Sequence, residues 1–411
     1  MDPKQQFLEV IPALMSYGGE AMGRLPDGRM VFIPYALPGE KLHIRLVEEK
    51  EHYARAELLE VVEASPDRIT PRCVYFTACG GCHYQHIPIE KQLAIKSEIL
   101  VDQLTRIGGL TNIPIQDLTP SPSSWNYRNH IQFHLTPQGK LGYLKPRSKD
   151  VLAIRECHLP EGLLNLIWPQ LTIQPETAIQ RLALRLGEGE DVLLVLDSQD
   201  IRPPEVSLEE LSISAVHHSP AGTLVIAGSD HIDMHILGRS FRVSATSFFQ
   251  VNTSMAEKMV QHLLDNLPAG GALLEVYCGV GLFSAFLAPR VERLIGIESS
   301  PDACYDFVAN LDEYDNVELY EAAAEDILPQ LNLQPEVVLV DPPRAGLDRR
   351  VMEAILRLKP GLLAYVSCDP ATLARDAQRL SNAGFQLTQI SLFDVFPQTY
   401  HIESISIWAR N

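Results

Sequence analysis

Leu273-Leu274-Glu275-Val276-Tyr277-Cys278-Gly279-Val280-Gly281 is the stretch on which the fold turns. It reads as an apolar strand, Leu273–Tyr277, that runs into a glycine turn opening a helix. Glycines at that point let backbone amides approach a ligand at the helix N-terminus. Glu298 closes the next apolar strand, Leu294–Ile297, and is placed to bond ribose hydroxyls. Phe283 and Ser284 stand where a dinucleotide fingerprint would carry its third glycine, so no pyrophosphate cradle is visible. A nucleoside-containing cofactor fits, and S-adenosylmethionine fits better than NAD. Gly279 and Gly281 are its candidate backbone contacts.

Outward from this point, apolar strands alternate with helical patterns. Val337–Val340 and Leu362–Val366 are strands; Met255–Leu267, Pro301–Leu311 and Ala371–Ala383 are helices. Such alternation predicts a parallel, doubly wound α/β sheet. Asp341-Pro342-Pro343-Arg344 ends one strand, and its prolines fix a turn from which Asp341 projects at the carboxyl edge, where ligands of such sheets bind. Ser367-Cys368-Asp369-Pro370 ends another. Asp369 and Pro370 suit the N-cap and first turn of the next helix, so Cys368 is expected beside a positive helix end that lowers its thiol pKa. His401 and Glu403, just before a last strand Ser404–Trp408, are both candidate bases.

The N-terminal residues 1–65 read as short strands and turns and predict a small β-barrel. Residues 72–245 read as a β-rich central domain with a helix over 90–107 that could pack on the C-terminal domain, 246–411. Cys73-x5-Cys79-x2-Cys82 puts three of the seven cysteines in ten residues, and Cys157 is a remote fourth. Four thiolates suit a tetrahedral zinc or an iron–sulfur cluster. Cys278 and Cys304 read as core residues.

The net charge of −18 argues against a protein that grips nucleic acid over its whole surface. The charge is uneven, however. Residues 291–329 carry eleven acids against Arg293 alone, whereas 123–150 carry Arg128, Lys140, Lys145, Arg147 and Lys149 against Asp150. With Trp125, Tyr127 and Tyr143 interleaved, that basic segment is the candidate for phosphate contact and base stacking. The opening MDPKQQFLEV lacks the regions of a signal peptide, and the longest apolar run, 273–288, is too short and broken to cross a bilayer. A cytoplasmic, membrane-free monomer is expected.

Together these residues resemble the RNA 5-methyluridine methyltransferases, the uracil-C5 enzymes of ribosomal and transfer RNA. Ser247-Phe248-Phe249-Gln250-Val251-Asn252 is similar to the family's S-F-F-Q-x-N, Asp341–Arg344 to its D-P-P-R, Ser367–Asp376 to its nucleophile motif and His401-Ile402-Glu403 to its H-x-E. The resemblance implies a class I methyltransferase sheet whose last strand lies antiparallel beside the one ending in the cysteine. It implies Cys368 as nucleophile and Glu403 as base, with Gln250, Tyr277, Glu298 and Asp341 lining the cofactor and uracil pocket. Many members have asparagine where this chain has Leu282. Gly18-Gly19 and Phe32–Glu40 are similar to the TRAM module, a small RNA-binding barrel. For the cysteines, the resemblance favours a structural [4Fe–4S] cluster on Cys73, Cys79, Cys82 and Cys157, and with the TRAM-like barrel it favours 23S rRNA over transfer RNA as partner. The alternatives are a tRNA enzyme, an amino-group methyltransferase that uses Asp341-Pro342-Pro343, and a non-catalytic RNA-binding or assembly protein.

Overall fold

The computed structural model describes residues 7–174, 178–204 and 213–410. The chain divides into two compact units: Met1–Asp102 with Leu144–Asp150 and Phe396–His401, and Gln103–Tyr143 with Val151–Val395 and Ile402–Asn411.

In the first unit six strands form one sheet in the order Leu8–Val10, Lys41–Glu49, Tyr53–Glu63, Met30–Pro34, Glu20–Arg24, Leu14–Met15. Alternate residues (Val31 and Ile33, Leu42 and Ile44, Ala54 and Ala56) point to one shared core. The two end strands do not pair with each other, so the expected barrel is a half-barrel.

The second unit holds two larger sheets. The central one, of seven strands, includes His130–Leu135, Ile179–Leu186, Val192–Ser198 and Ser214–Ser219 as neighbours in that order. The other positions the candidate site. Its strands in chain order are β1 (Ile115–Thr119), β2 (Ala272–Val276), β3 (Arg293–Glu298), β4 (Val317–Glu321), β5 (Val337–Val340), β6 (Leu362–Ser367), β7 (Phe385–Phe393) and β8 (Glu403–Arg410). In space they run β4-β3-β2-β5-β6-β8-β7-β1. β4 to β6 are mutually parallel, and β8 is inserted antiparallel between β6 and β7. β5 is buried at every position, as a strand covered on both faces must be.

The alternation of order at β2, whose neighbours are β3 on one side and β5 on the other, opens a crevice at the carboxyl ends. Helices Thr253–Asn266 (α1), Leu282–Leu287 (α2), Pro301–Leu311 (α3), Arg349–Leu358 (α4) and Pro370–Asn382 (α5) cover the sheet. No helix among the described residues is long and apolar enough to cross a membrane.

Candidate active site

The carboxyl edge carries one row of chemistry. Glu298 is the last residue of β3, Tyr277 follows β2, Asp341 follows β5, Cys368 follows β6, and Glu403 begins the antiparallel β8. Ser367 pairs with Ser404 at the end of the β6–β8 ladder. Continued by one position, that register sets Cys368 directly opposite Glu403, where side chains of an antiparallel pair stand about 5 Å apart at Cβ. Adjacent strands lie about 4.8 Å apart, so three steps, roughly 14 Å, carry the row from Glu298 to Cys368. The row therefore has room for an elongated ligand at one end and a flat ring at the other.

At the first end, Tyr277 turns the chain in the left-handed region (φ 66°), as do Gly279 (54°) and Gly281 (86°). The two glycines serve different ends. A Cβ on Gly279 would meet open space, so its bare backbone faces a cradle a ligand can fill. A Cβ on Gly281 would lie 2.4 Å from Leu311 Cδ1 and 3.0 Å from Phe307, so this glycine lets α2 pack on α3. Gly281→Ala is expected to cost about 1–3 kcal/mol through overpacking and a left-handed backbone, measured as a lower Tm in thermal denaturation. An unchanged Tm would refute the packing role.

The Glu298 carboxylate accepts from the amides of Gly279 (3.0 Å), Ser299 (2.7 Å) and Ser300 (2.8 Å). Two oxygens offer about four acceptor sites, so one is left for a ligand hydroxyl. Glu275, inside the adjacent strand β2, is buried and accepts from the Ser284 hydroxyl; burial lifts its carboxyl to about 8. Leu282 is buried at the start of α2.

At the other end the groups are short of water. Burial raises Asp341 to about 7. Burial first, then the Asp341 charge, lifts Glu403 well above the usual carboxylate range, while Arg344 draws it back. The Cys368 thiol is pushed up to about 12 by burial, then by Glu403 and Asp341. This corrects the expectation that a helix end lowers it. Asp369 does cap α5, accepting from the Ala371 and Thr372 amides at 3.0 and 2.9 Å, but it thereby occupies the free amides and offsets the dipole that would have favoured a thiolate. What remains beside the sulfur is the carboxyls of Glu403 and Asp341, opposed by the Arg344 cation.

The Asp341–Leu347 turn is fastened to α5. Asp376, fully buried, accepts from the Leu347 amide (2.9 Å) and the Tyr365 hydroxyl (3.0 Å); Arg375 donates to Ala345 O (3.0 Å), and Thr372 donates to Arg344 O (3.1 Å). One helix thus fixes both Cys368 and the turn that bears Asp341 and Arg344. Gln250 is buried, and its carbonyl accepts from Asn129 Nδ2 (3.0 Å). Both ends of its segment are structural: Ser247 donates to Asp306 Oδ2 (2.6 Å), and Asn252 caps α1 and bonds Val395 O (3.1 Å). His401 belongs to the first unit, where its ring meets Phe396 edge-on and packs tilted against Tyr400.

Against known proteins, residues 205–410 match the model of the tRNA (uracil-5-)-methyltransferases, and residues 13–59 match that of the TRAM domain. The chain belongs to this uracil-5-methyltransferase family. It is 33% identical to an uncharacterised RNA methyltransferase of Synechocystis sp., over 95% of this chain and 92% of that one. It is 31% identical to another of Aquifex aeolicus, over 98% and 99%. A solved Pyrococcus abyssi tRNA (uracil-54, C5)-methyltransferase, in complex with S-adenosyl-L-homocysteine, shares the fold with a TM-score of 0.76 at 24% identity, covering 98% of this chain and 100% of that one. The chain is an RNA methyltransferase by family, and its doubly wound sheet is the class I methyltransferase fold.

Reading the sequence missed Asp306 and the roles of Asp376 and Arg344, which stood only as parts of motifs. Their signal was available: Asp306 and Asn310 stand four apart on α3 beside the buried Cys304, Phe307 and Leu311, so both had to be polar and buried together. The basic segment is less available than its composition suggests. Arg147 pairs with Glu20 and Lys145 with Asp150 (3.7 Å), Tyr127 is buried, and Tyr143 packs on Phe133. Cys73, Cys79 and Cys82 fall in the first unit and Cys157 in the second. Burial raises the Cys79 thiol, and its sulfur accepts from the Gly81 amide at 3.4 Å. Among the described residues no group of three or more His, Cys, Asp or Glu is arranged to hold a metal ion.

Proposed function

We propose that this protein methylates carbon 5 of uridine in RNA with S-adenosylmethionine, through a covalent bond between Cys368 and carbon 6. The single observation that supports this most is the register that sets Cys368 opposite Glu403, with Asp341 on the neighbouring strand. The cradle at Gly279 and the amide-held Glu298 fit the methyl donor, whose sulfonium, when bound, supplies an electrophilic methyl group.

Carbon 5 of uracil is too weak a nucleophile to take a methyl group unaided. Addition of the Cys368 sulfur to carbon 6 makes an enolate that is nucleophilic at carbon 5. Once carbon 5 is methylated, the Glu403 carboxylate takes its proton, the double bond re-forms, and the sulfur leaves. Asp341 and Arg344 set the charge around both groups. The turn that carries them is held by α5, so the sulfur and its neighbours keep one geometry. A flipped-out base is required, since carbon 6 cannot be reached within a stack.

The free site is loaded with protons, which fixes the sign of its pH dependence. With the thiol near 12, roughly one molecule in 10⁵ is thiolate at pH 7. Burial raises the Glu403 carboxyl well above the usual carboxylate range and Asp341 to about 7. Raising pH removes protons from all three, so kcat/KM is expected to climb from pH 6 to 9 without a descending limb. A bell centred near 7 would overturn the proton count.

The test of function is incubation with transcripts that carry 5-fluorouridine, where fluorine replaces the proton that must leave and the adduct is trapped. A denaturation-resistant protein–RNA band is expected; none on any RNA would refute the reading. We propose large-subunit rRNA as the target, on the sequence resemblance, and offering rRNA and tRNA transcripts side by side decides it. An iron–sulfur centre on Cys73, Cys79, Cys82 and Cys157 is a separate proposal that rests on the sequence resemblance, since their spacing alone suits zinc as well. Anaerobically purified protein would then contain about four irons and four sulfides per chain. Absence of iron from such protein would end that proposal.

A further inference from the structure

The central sheet has one buried apolar face, with Ile131, Phe133, Leu182, Leu184, Leu194 and Leu196. Its other face is polar and lines a cavity of about 330 Å³, closed on one side by the loop Ala245–Phe249. That volume is at the small end of the range for ligand pockets, roughly 300–1,000 Å³. Both of its cations are engaged. Arg181 donates to Asp197 (2.8 Å), and the buried Arg185 donates to the carbonyls of Ser244 (3.3 Å) and Ser247 (2.7 Å). A phosphate would thus meet Asp197 and no spare positive charge.

The remaining lining is of another kind. Gln132, His130 and His218 offer hydrogen-bonding edges; burial holds His130 uncharged, with an imidazole pKa near 3. Phe248 stands 70% exposed at the rim, whereas Phe249, the next residue, is in the core. An exposed aromatic face beside hydrogen-bonding edges is what a nucleobase needs: one surface to stack on and partners for its rim. The loop that forms this wall continues into Gln250, so the cavity borders the segment that leads to the candidate site.

We propose that this cavity holds one unpaired nucleobase of the substrate RNA, close in sequence to the target uridine but distinct from it. The inference rests on the RNA reading above. Two bases would then leave the stack together, and the enzyme would select its site by an unpaired neighbour as well as by the uracil.

The probe is the RNA fragment that yields the 5-fluorouridine adduct, prepared with an abasic residue at each position around the target in turn. One abasic position is expected to weaken binding to the unaltered protein roughly tenfold, the scale of one lost base stack. Gln132→Leu should weaken binding to intact RNA to a similar extent, with no further loss on that one abasic RNA. Phe248→Leu should behave alike. Affinity for S-adenosylmethionine by calorimetry, and Tm, should stay at the values of the unaltered protein. A flat abasic scan overturns the proposal, as it would if a protein filled the cavity; so does a Gln132→Leu loss that is the same on every RNA. If the adduct forms and the scan is flat, only this inference fails. If no RNA gives an adduct, the functional reading fails with it.

Discussion

Cys368→Ala is expected to abolish both the 5-fluorouridine adduct and methyl transfer, with kcat/KM falling by about 10⁴ or more, beyond the floor of a radiolabel assay. The size follows from the chemistry. Without sulfur at carbon 6 no enolate forms, and nothing else in the row replaces it: the adjoining groups are carboxyls at Asp341 and Glu403 and the Arg344 cation. The fold should survive, since Cys368 is only half-buried at the start of α5 and the cap is made by Asp369. RNA affinity and Tm close to those of the unaltered protein, together with lost turnover, are the expected pair. Substantial turnover by Cys368→Ala would instead favour an amino-group methyltransferase working through Asp341-Pro342-Pro343.

Glu403→Gln is expected to do something different, and the difference is diagnostic. Addition and methylation do not need a base at carbon 5, but release of the sulfur does. The variant should therefore accumulate a covalent adduct with ordinary uridine-containing RNA while kcat falls by about 10²–10⁴, the usual worth of a positioned base. Glutamine keeps the shape of a side chain that is 5% exposed. It also removes a carboxyl whose ionisation would raise the Cys368 thiol, so formation of the adduct should not be slower than in the unaltered protein. Mass spectrometry of the denatured protein would show the methylated RNA fragment on Cys368. A variant that turns over normally, or that forms no adduct even with 5-fluorouridine, would remove Glu403 from the proposed role.

Much of the sheet was readable from periodicity, because strands buried on both faces leave unbroken apolar runs. Val337–Val340 and Leu362–Val366 end within one residue of the observed β5 and β6, and α3 has the expected bounds. The breakers explain this: Asp341-Pro342-Pro343 cannot continue a ladder, and Asp369-Pro370 both stops a strand and begins a helix. Where alternation was weaker, more was hidden. The half-barrel looked closed because short strands and turns record pairing but not whether the last strand meets the first. The basic segment looked like a phosphate surface because sequence counts charges without their partners, and Glu20 lies 127 positions from Arg147.

What the sequence determined by itself was the inventory: a thiol, two acids and a glycine turn, each at the carboxyl end of a parallel strand and so at one edge of the sheet. That follows from local rules, since the hand and period of strand and helix put every strand's carboxyl end on one side. Tertiary structure decided the rest. Only the insertion of β8 against β6 makes residues 368 and 403 partners, and only burial among carboxyls turns an expected thiolate into a held thiol. Both depend on which groups share a volume without water, a property of the packed chain and not of neighbours along it.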